Sequence, residues 1–181
     1  MSDVEIVSLF FGLLAVVAQL ATVGLGGLAV AARFAPAATA VHQRVRSEIG
    51  PRAVGLAAAV AAVCVAGSLY YSEVANFPPC RLCWYQRIAM YPLVVLLGLA
   101  TWRRDAGIRR YATPLAGIGA VIAAYHMVVE RFPSLESGAC EVTNPCSIIW
   151  VEPLGYLTIP TMTLSGFGLI LILLAHATED T

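Results

Sequence analysis

Long apolar stretches separated by short polar segments make up most of the chain, and this pattern predicts helices that cross a membrane. A helix needs about 20 residues, rising about 1.5 Å each, to cross a hydrocarbon core of about 30 Å. The last stretch is expected to be helical only from near Pro160, because proline suits the first turn of a helix. Four uncharged stretches reach the required length, and they cover residues 6–32, 53–72, 111–129 and 154–175.

A fifth apolar stretch, residues 88–102, is too short to cross the membrane by itself, since its 15 residues would reach only about 22 Å as a helix. Extending it back to Trp84 gives a sufficient length and brings Arg87 into the membrane or its outer interface. We therefore predict an all-α membrane protein with five transmembrane helices.

The composition agrees with this prediction. Of the 181 residues, 59% are hydrophobic and only 12% are charged, which is about half the charged fraction of a soluble domain. A formal net charge of zero predicts no nucleic-acid partner.

The first helix could instead be a cleaved signal peptide. However, Asp3 and Glu5 stand where such a peptide carries basic residues, and the apolar run is about twice the usual length.

The arginines predict the orientation of the helices. Eight of the 11 basic residues lie in the connectors 33–52 and 103–110. Because positive charge is retained on the cytoplasmic side, both connectors are expected in the cytoplasm. The loops 73–83 and 130–158 alternate with these connectors along the chain and are expected to face outward.

Four of the five cysteines lie in the two outward loops. The first loop contains Cys80 and Cys83, and the second contains Cys140 and Cys146. An extracytoplasmic compartment permits persistent disulfides, so these four thiols are expected to be paired or catalytic. Cys64 lies in the middle of an apolar helix and is expected to act as a small buried hydrophobe.

The short spacings within the loops favour local pairing, although four cysteines allow three pairings. A disulfide that closes so short a loop contributes little by chain entropy. A CxxC pair at a helix start can instead contain a thiol of lowered pKa that exchanges quickly. Cys83 is expected at such a start, and Arg87 lies one helical turn later on the same face, where it adds positive potential.

Residues 79–87, which read Pro-Cys-Arg-Leu-Cys-Trp-Tyr-Gln-Arg, resemble the signature of the DsbB/BdbC family of disulfide bond formation proteins. The second pair, with Trp150 and the segment 155–160 after it, resembles the closely spaced version of the Gram-positive branch. The resemblance covers residues 53–176. It implies a DsbB-type four-helix bundle over residues 53–181, preceded by an additional transmembrane helix and a cytoplasmic basic connector in residues 1–52.

The resemblance also implies an activity. A protein of this family is expected to be a multi-pass enzyme of the bacterial plasma (inner) membrane. It would reoxidise a secreted thioredoxin-like protein of the DsbA type and pass the electrons to a membrane quinone, either menaquinone or ubiquinone. Lipid, the quinone and the thiol protein are therefore the expected partners.

The roles of the cysteines follow from the same resemblance. Cys140 would form the mixed disulfide with the thioredoxin-like partner, and Cys146 would resolve it. Cys80 would exchange with this outer pair, and Cys83 would be the thiolate that faces the quinone.

Four further residues are predicted to bind the quinone by resemblance or position. Arg87 would hold a quinone carbonyl and stabilise the thiolate, although an arginine near a helix end can simply extend to the interface. His126 would neighbour the headgroup, or would hydrogen-bond across the bundle. Trp84 and Tyr85 would border the quinone pocket, or would serve as interfacial anchors.

Three alternatives remain open at this level. Four cysteines could hold zinc in a tetrahedral thiolate shell. The loops could carry purely structural disulfides in a membrane protein that is not an enzyme. A quinone-linked thiol enzyme of the vitamin K epoxide reductase type also uses two cysteine pairs, but its loop pair precedes the CxxC pair, whereas here the CxxC pair comes first.

Overall fold

The structure, a computed structural model, describes residues 2–136, 140 and 143–178. Parts of the predicted second loop (residues 137–139, 141 and 142) and of the predicted bundle segment (residues 179–181) lie outside the described residues. The described residues form six α-helices and no strand, which confirms the all-α prediction. The helices are α1 (Asp3–Ala31), α2 (Pro36–Ile49), α3 (Ala53–Leu69), α4 (Arg81–Arg103), α5 (Arg109–Arg131) and α6 (Ile159–His176).

Five helical segments of the described chain are long and apolar enough to cross a membrane. Four of them contain α1, α4, α5 and α6, and the fifth runs through α2 and α3. Their outward faces carry large apolar side chains that would be unfavourable in water. Leu20 is 68% exposed, Val23 is 73% exposed and Val121 is 70% exposed. Contiguous apolar surface of this kind is covered by lipid, so the prediction of a membrane-spanning helical bundle is confirmed.

The four helices α3, α4, α5 and α6 form a closed ring, in which each helix packs on the next and α6 packs back on α3. Helix α1 lies outside this ring and packs on α6. The chain is thus a four-helix bundle with one additional amino-terminal helix, as the sequence predicts.

Small residues allow the helices of the ring to approach closely. Ala57, Ala61, Ala116 and Ala123 are completely buried between helices. At Gly119 a Cβ atom would clash with the Phe167 ring, so only glycine permits this crossing of α5 and α6. Without a hydrophobic driving force between helices in lipid, such close van der Waals packing stabilises the bundle.

The basic connector between α1 and α3 contains a helix that the apolar pattern does not predict. Helix α2 begins at Pro36, has no buried residue and carries Arg44 and Arg46. Its mixture of alanine, charged and polar residues is too polar for a transmembrane span, yet it favours a helix at the membrane surface.

Both cysteine-bearing loops lie at one end of the bundle, and the arginine-rich connectors lie at the other. The first of these loops follows a π-helical turn, Tyr70–Val74, and ends where α4 begins at Arg81. Helix α4 therefore begins three residues before Trp84, and Cys80 rather than Cys83 lies at its boundary. The second loop lies between the end of α5 and Ile159, one residue before Pro160.

Candidate functional site

The CxxC pair forms the amino-terminal cap of α4. Cys80 is the N-cap residue, with an extended backbone, and its sulfur accepts a hydrogen bond from the backbone N–H of Cys83 at 3.3 Å. Cys80 is 5% exposed and Cys83 is half-buried. A sulfur at this position receives positive potential from the unpaired N–H groups of the first helical turn.

Cys80 and Cys83 are both free thiols, and their sulfurs lie 2.9 Å apart. Hydrogen-bond donors converge on Cys80. Its sulfur accepts from Cys83, and Nε2 of His126 lies 3.7 Å away. The hydrogen bond from the Cys83 thiol, followed by the contact with His126, holds the pKa of the Cys80 thiol well below its usual value, against the opposing effect of burial. In the reduced pair, the negative charge is therefore stabilised on Cys80.

His126 connects the two cysteine pairs. Its Nε2 lies 2.9 Å from the carbonyl oxygen of Cys146, and a carbonyl oxygen only accepts, so Nε2 carries the proton and donates. In the neutral ring Nδ1 is then an acceptor, and the side-chain amide of Gln86 donates to it at 2.9 Å. Gln86 thus sets the tautomer that directs an N–H towards both Cys146 and Cys80.

Cys140 and Cys146 are joined by a disulfide, with their Cα atoms 5.8 Å apart. Cys146 is 1% exposed, whereas Cys140 is half-buried. The carboxylate of Glu136 holds the loop in place, because Oε1 accepts the backbone N–H of Cys146 at 2.6 Å and Oε2 accepts the hydroxyl of Ser147 at 3.1 Å. The exposed side of this disulfide is therefore the side of Cys140.

The two pairs belong to one packed cluster. Cys80 and Cys146 are buried in it with Leu82 and Val129, and Cys83 and Cys140 pack against them. The structure therefore brings all four loop cysteines together. Exchange between two cysteine pairs requires such proximity, because a thiolate of one pair must reach a sulfur of the other.

Arg87 lies one turn after Cys83 and extends towards α3. Its Nε donates to the hydroxyl of Ser68 at 2.9 Å, and a terminal nitrogen donates to the Ser68 carbonyl oxygen at 2.9 Å. Its guanidinium carbon lies 5.2 Å from the centre of the Trp84 ring, close enough for a cation–π contact. These contacts fix a half-buried cation on the inner face of α4.

A mostly apolar cavity of about 530 Å³ opens beside this cation. It lies among α1, α3, α4 and α6, and both Cys83 and Arg87 line it. Trp84 and Tyr85 are 51% and 43% exposed on the outward face of α4 and do not line it, and neither does His126. Of the four residues predicted to bind a quinone, the described structure thus brings only Arg87 to the cavity.

Several residues of the site were not expected from the sequence. Gln86 orients His126, Ser68 orients Arg87, and Glu136 holds the second pair. Tyr91 lines the cavity one turn beyond Arg87, and its buried hydroxyl has no hydrogen-bond partner among the described residues. Two of these residues could have been found from the sequence. Tyr91 is a polar residue one turn from Arg87, and Ser68 is a polar residue within an apolar run.

The two cysteine pairs do not form a common metal shell in this structure. Ligand atoms of Cys80, Cys83 and His126 lie within 4.8 Å of one another, as do those of Glu136, Cys140 and Cys146. A four-thiolate zinc site would need the second pair as separate thiolates, but its sulfurs are joined to each other. The group of Cys80, Cys83 and His126 offers three ligand atoms. One of them, Nε2 of His126, carries a proton and donates it to the carbonyl oxygen of Cys146.

Comparison with known proteins extends these observations. A family model described as "Disulfide bond formation protein DsbB" matches residues 50–177. The chain is 44% identical over 114 residues to disulfide bond formation protein C of Bacillus subtilis (strain 168), covering 62% of this chain and 83% of that protein. No solved structure matches the chain.

Two other relatives give the same result. Probable disulfide formation protein C 2 of Bacillus anthracis is 43% identical over 107 residues, covering 59% of this chain and 76% of that protein. The SPbeta prophage-derived disulfide bond formation protein B of Bacillus subtilis (strain 168) is 43% identical over 104 residues, covering 57% of this chain and 70% of that protein. The resemblance predicted from the cysteine motifs is thereby confirmed. The chain belongs to the DsbB family of disulfide bond formation proteins, and it is a disulfide-forming oxidoreductase of the membrane.

Proposed function

We propose that this enzyme reoxidises a thioredoxin-like protein of the DsbA type outside the cytoplasm and passes the electrons to a membrane quinone. One observation carries the proposal. The two cysteine pairs share a cluster around His126, and the pair at the start of α4 also borders the cavity that contains Arg87. Electrons that enter at the second pair therefore have a continuous route to the membrane interior.

The first exchange takes place at Cys140, the accessible half of the second pair. A thiolate of the reduced partner attacks the sulfur of Cys140, which breaks the bond to Cys146 and forms a mixed disulfide. The partner's second thiol then displaces Cys140. The partner leaves with a disulfide, and the second pair keeps two electrons and two protons as a dithiol. In the opposite direction, Cys146 resolves the same mixed disulfide.

The second exchange takes place between the two pairs. A thiolate of the second pair attacks Cys80 of an oxidised Cys80–Cys83 pair, and Cys83 leaves as a thiolate. The second pair then closes its disulfide, and the first pair retains two electrons and two protons. The N–H of His126 and the start of α4 stabilise negative charge on Cys80. Cys83, whose thiol donates to Cys80 in the reduced pair, lies on the cavity side, where its sulfur can face the quinone.

The cavity has the properties that a membrane quinone requires. It is apolar over most of its surface, and the Arg87 guanidinium and the unpaired Tyr91 hydroxyl are hydrogen-bond donors for carbonyl oxygens. These two side chains would hold the headgroup beside Cys83. A bound quinone would supply the oxidising capacity, since it takes up two electrons and two protons.

The cellular location is part of the proposal. The arginine-rich ends of the helices are assigned to the cytoplasm and the cysteine loops to the outer face of the bacterial plasma (inner) membrane. The division into residues 1–52 and 53–181 is likewise proposed. It receives support from the family match, which begins at residue 50. The family match and the order of the two cysteine pairs favour an enzyme of the DsbB type over one of the vitamin K epoxide reductase type.

A turnover assay with a reduced thioredoxin-like protein tests the relay. With quinone, the wild-type enzyme should oxidise many equivalents of thiol. Without quinone it should stop once its own disulfides are spent. Cys83→Ser should abolish multiple turnover, and so should Cys140→Ser. Normal turnover in either variant would exclude the proposed route.

Trapping with the oxidised partner tests the order of the cysteines in the second loop. Cys146→Ser should accumulate a covalent complex through Cys140, because the residue that resolves it is missing. Cys140→Ser should accumulate far less complex, since Cys146 is 1% exposed. A reversed result on non-reducing gels would assign partner contact to Cys146.

A further inference from the structure

Helix α1 lies outside the segment that matches the family, yet it forms one wall of the cavity beside Arg87. It packs on α6 and is separated from α3 by the cavity itself. Phe11, Leu14, Ala18 and Leu25 of α1 line the cavity over about four turns. Without α1, this side of the bundle would be an open groove facing lipid.

Two contacts near the outer end hold α1 at a fixed distance from the π-helical turn that follows α3. The hydroxyl of Tyr71 donates to Ser8 at 3.1 Å in a buried position, and the ring of Phe11 lies 6.2 Å from that of Tyr71. These contacts bridge the gap directly above the apolar part of the cavity. In an apolar environment, hydrogen bonds of this kind fix the position of one helix against another.

A second contact ties α1 to α6 further along the helix. The side-chain amide of Gln19 donates to the hydroxyl of Ser165 at 2.9 Å, and its carbonyl oxygen accepts the Tyr156 hydroxyl at 3.0 Å. Gln19 is a polar residue within a membrane span, and both ends of its amide are satisfied by other parts of the chain. Helix α1 is thus anchored on both sides of the cavity and is built into the bundle.

The cavity is polar at one end only. Arg87, Tyr91 and Cys83 lie towards the outer end, and the remainder is lined almost entirely by apolar side chains. On α3 and the π-helical turn that follows it, the lining runs from Leu56 to Tyr71, a distance of about 22 Å along the helix axis. A ligand that fills this space has a small polar ring at one end and a long hydrocarbon chain at the other.

We propose that α1 completes a binding site for the isoprenoid tail of the quinone, which extends from the headgroup at Arg87 towards the opposite membrane face. This inference rests on the proposed quinone dependence. The tail is favoured over a lipid acyl chain because the cavity is continuous with Cys83, which must meet an electron acceptor. The apolar wall of α1 would stabilise the tail by removing it from lipid contact and by van der Waals packing.

Two adjacent leucines of α1 provide a matched test. Leu14 is 38% exposed and lines the cavity, whereas Leu13 is 52% exposed and does not line it. Leu14→Trp should raise the KM for a quinone with a long isoprenoid tail by about tenfold, since the larger indole would occupy space that the tail needs. The KM for a quinone without a tail should stay unchanged, and Leu13→Trp should change neither.

The outcomes separate this inference from the proposed function. Equal effects of Leu14→Trp on both quinones, or no effect on either, would overturn the tail site while leaving quinone dependence intact. Failure of the wild-type enzyme to turn over with any quinone would instead overturn both.

Photolabelling of the wild-type chain gives a measurement that does not depend on a variant folding. A quinone with a photoreactive group at the end of its tail should label peptides from residues 11–25. Labelling restricted to other helices, as would follow from a tail lying in bulk lipid, would exclude α1 as the wall of the site.

Discussion

The Nε2 atom of His126 lies 2.9 Å from the carbonyl oxygen of Cys146, so a residue near the carboxyl end of α5 holds the second cysteine pair. The same nitrogen lies 3.7 Å from the sulfur of Cys80. One N–H group therefore stands between the two pairs, in a tautomer set by Gln86. This position suits a residue that orients the pairs and stabilises negative charge during exchange between them.

The lowered pKa of Cys80 gives a prediction for pH dependence. A lowered pKa means that the reduced pair loses its proton at a pH below the ordinary value for cysteine. Reduced enzyme should therefore show thiolate ultraviolet absorbance at neutral pH, and the absorbance should disappear on acidification. In His126→Ala the transition should move to higher pH, because a donor to the thiolate is lost.

His42→Ala is the control for that titration, since His42 lies on α2 at the opposite end of the bundle. Its transition should coincide with that of the wild type. If His126→Ala also titrated like the wild type, His126 would have no part in stabilising the thiolate.

Arg87 should control quinone affinity and leave the thiol protein unaffected. Arg87→Ala is expected to raise the KM for quinone by about tenfold or more, because a hydrogen bond to a charged donor contributes about 1.5–3 kcal/mol. Arg87→Lys should recover only part of this loss, since lysine cannot make both the Nε and the terminal contact with Ser68. Steady-state kinetics with each substrate varied in turn measures the difference.

Arg103→Ala removes the same charge from the other end of α4 and should leave both Michaelis constants unchanged. Equal increases in both constants for Arg87→Ala would remove Arg87 from the quinone site and assign it a general structural role.

The position of these residues along their helices followed from the sequence, but their direction around the helix axis did not. The shortness of the apolar stretch 88–102 predicted that the helix begins before Ile88 and includes Arg87, and α4 does begin at Arg81. Trp84 and Tyr85 have a suitable depth too, yet successive helical residues are rotated by about 100°. This rotation turns both rings outward, whereas Cys83, Arg87 and Tyr91 share the inward face.

Contacts between helices were beyond prediction for a related reason. Helix α3 is apolar on all sides, so no periodicity indicates which face meets α4, and the pairing of Ser68 with Arg87 depends on that choice. His126 was expected near a quinone headgroup because of its depth. Its contacts instead depend on how α5 is rotated towards the cysteine cluster.

Tyr91 should contribute to headgroup binding through its hydroxyl. That group is buried in the cavity wall without a partner among the described residues, so a quinone carbonyl would satisfy it. Tyr91→Phe is expected to raise the KM for quinone by about threefold to tenfold, the value of a typical neutral hydrogen bond. Tyr111→Phe alters a tyrosine that is 65% exposed at the opposite end of the bundle and should have no effect. An unchanged KM in Tyr91→Phe would show that the hydroxyl does not contact the headgroup.

The Glu136 carboxylate should slow alkylation of the second cysteine pair in the reduced enzyme. Its carboxylate lies within 4.8 Å of the sulfurs of Cys140 and Cys146, and a nearby negative charge disfavours a thiolate. Glu136→Gln removes the charge but keeps an oxygen that can accept the Cys146 N–H. Alkylation of Cys140 in the reduced enzyme at neutral pH should then be about fivefold faster, since two charges about 5 Å apart near water interact by about 1 kcal/mol.

Mass spectrometry of the peptide that contains both cysteines separates this reaction from alkylation of the first pair. Glu152→Gln is the matched control, because Glu152 is an exposed carboxylate in the same loop. It should not alter the alkylation rate of Cys140. If the two glutamine variants accelerated alkylation equally, the general charge of the loop would control the thiols. If neither did, the Glu136 carboxylate would act only as an acceptor for the loop backbone.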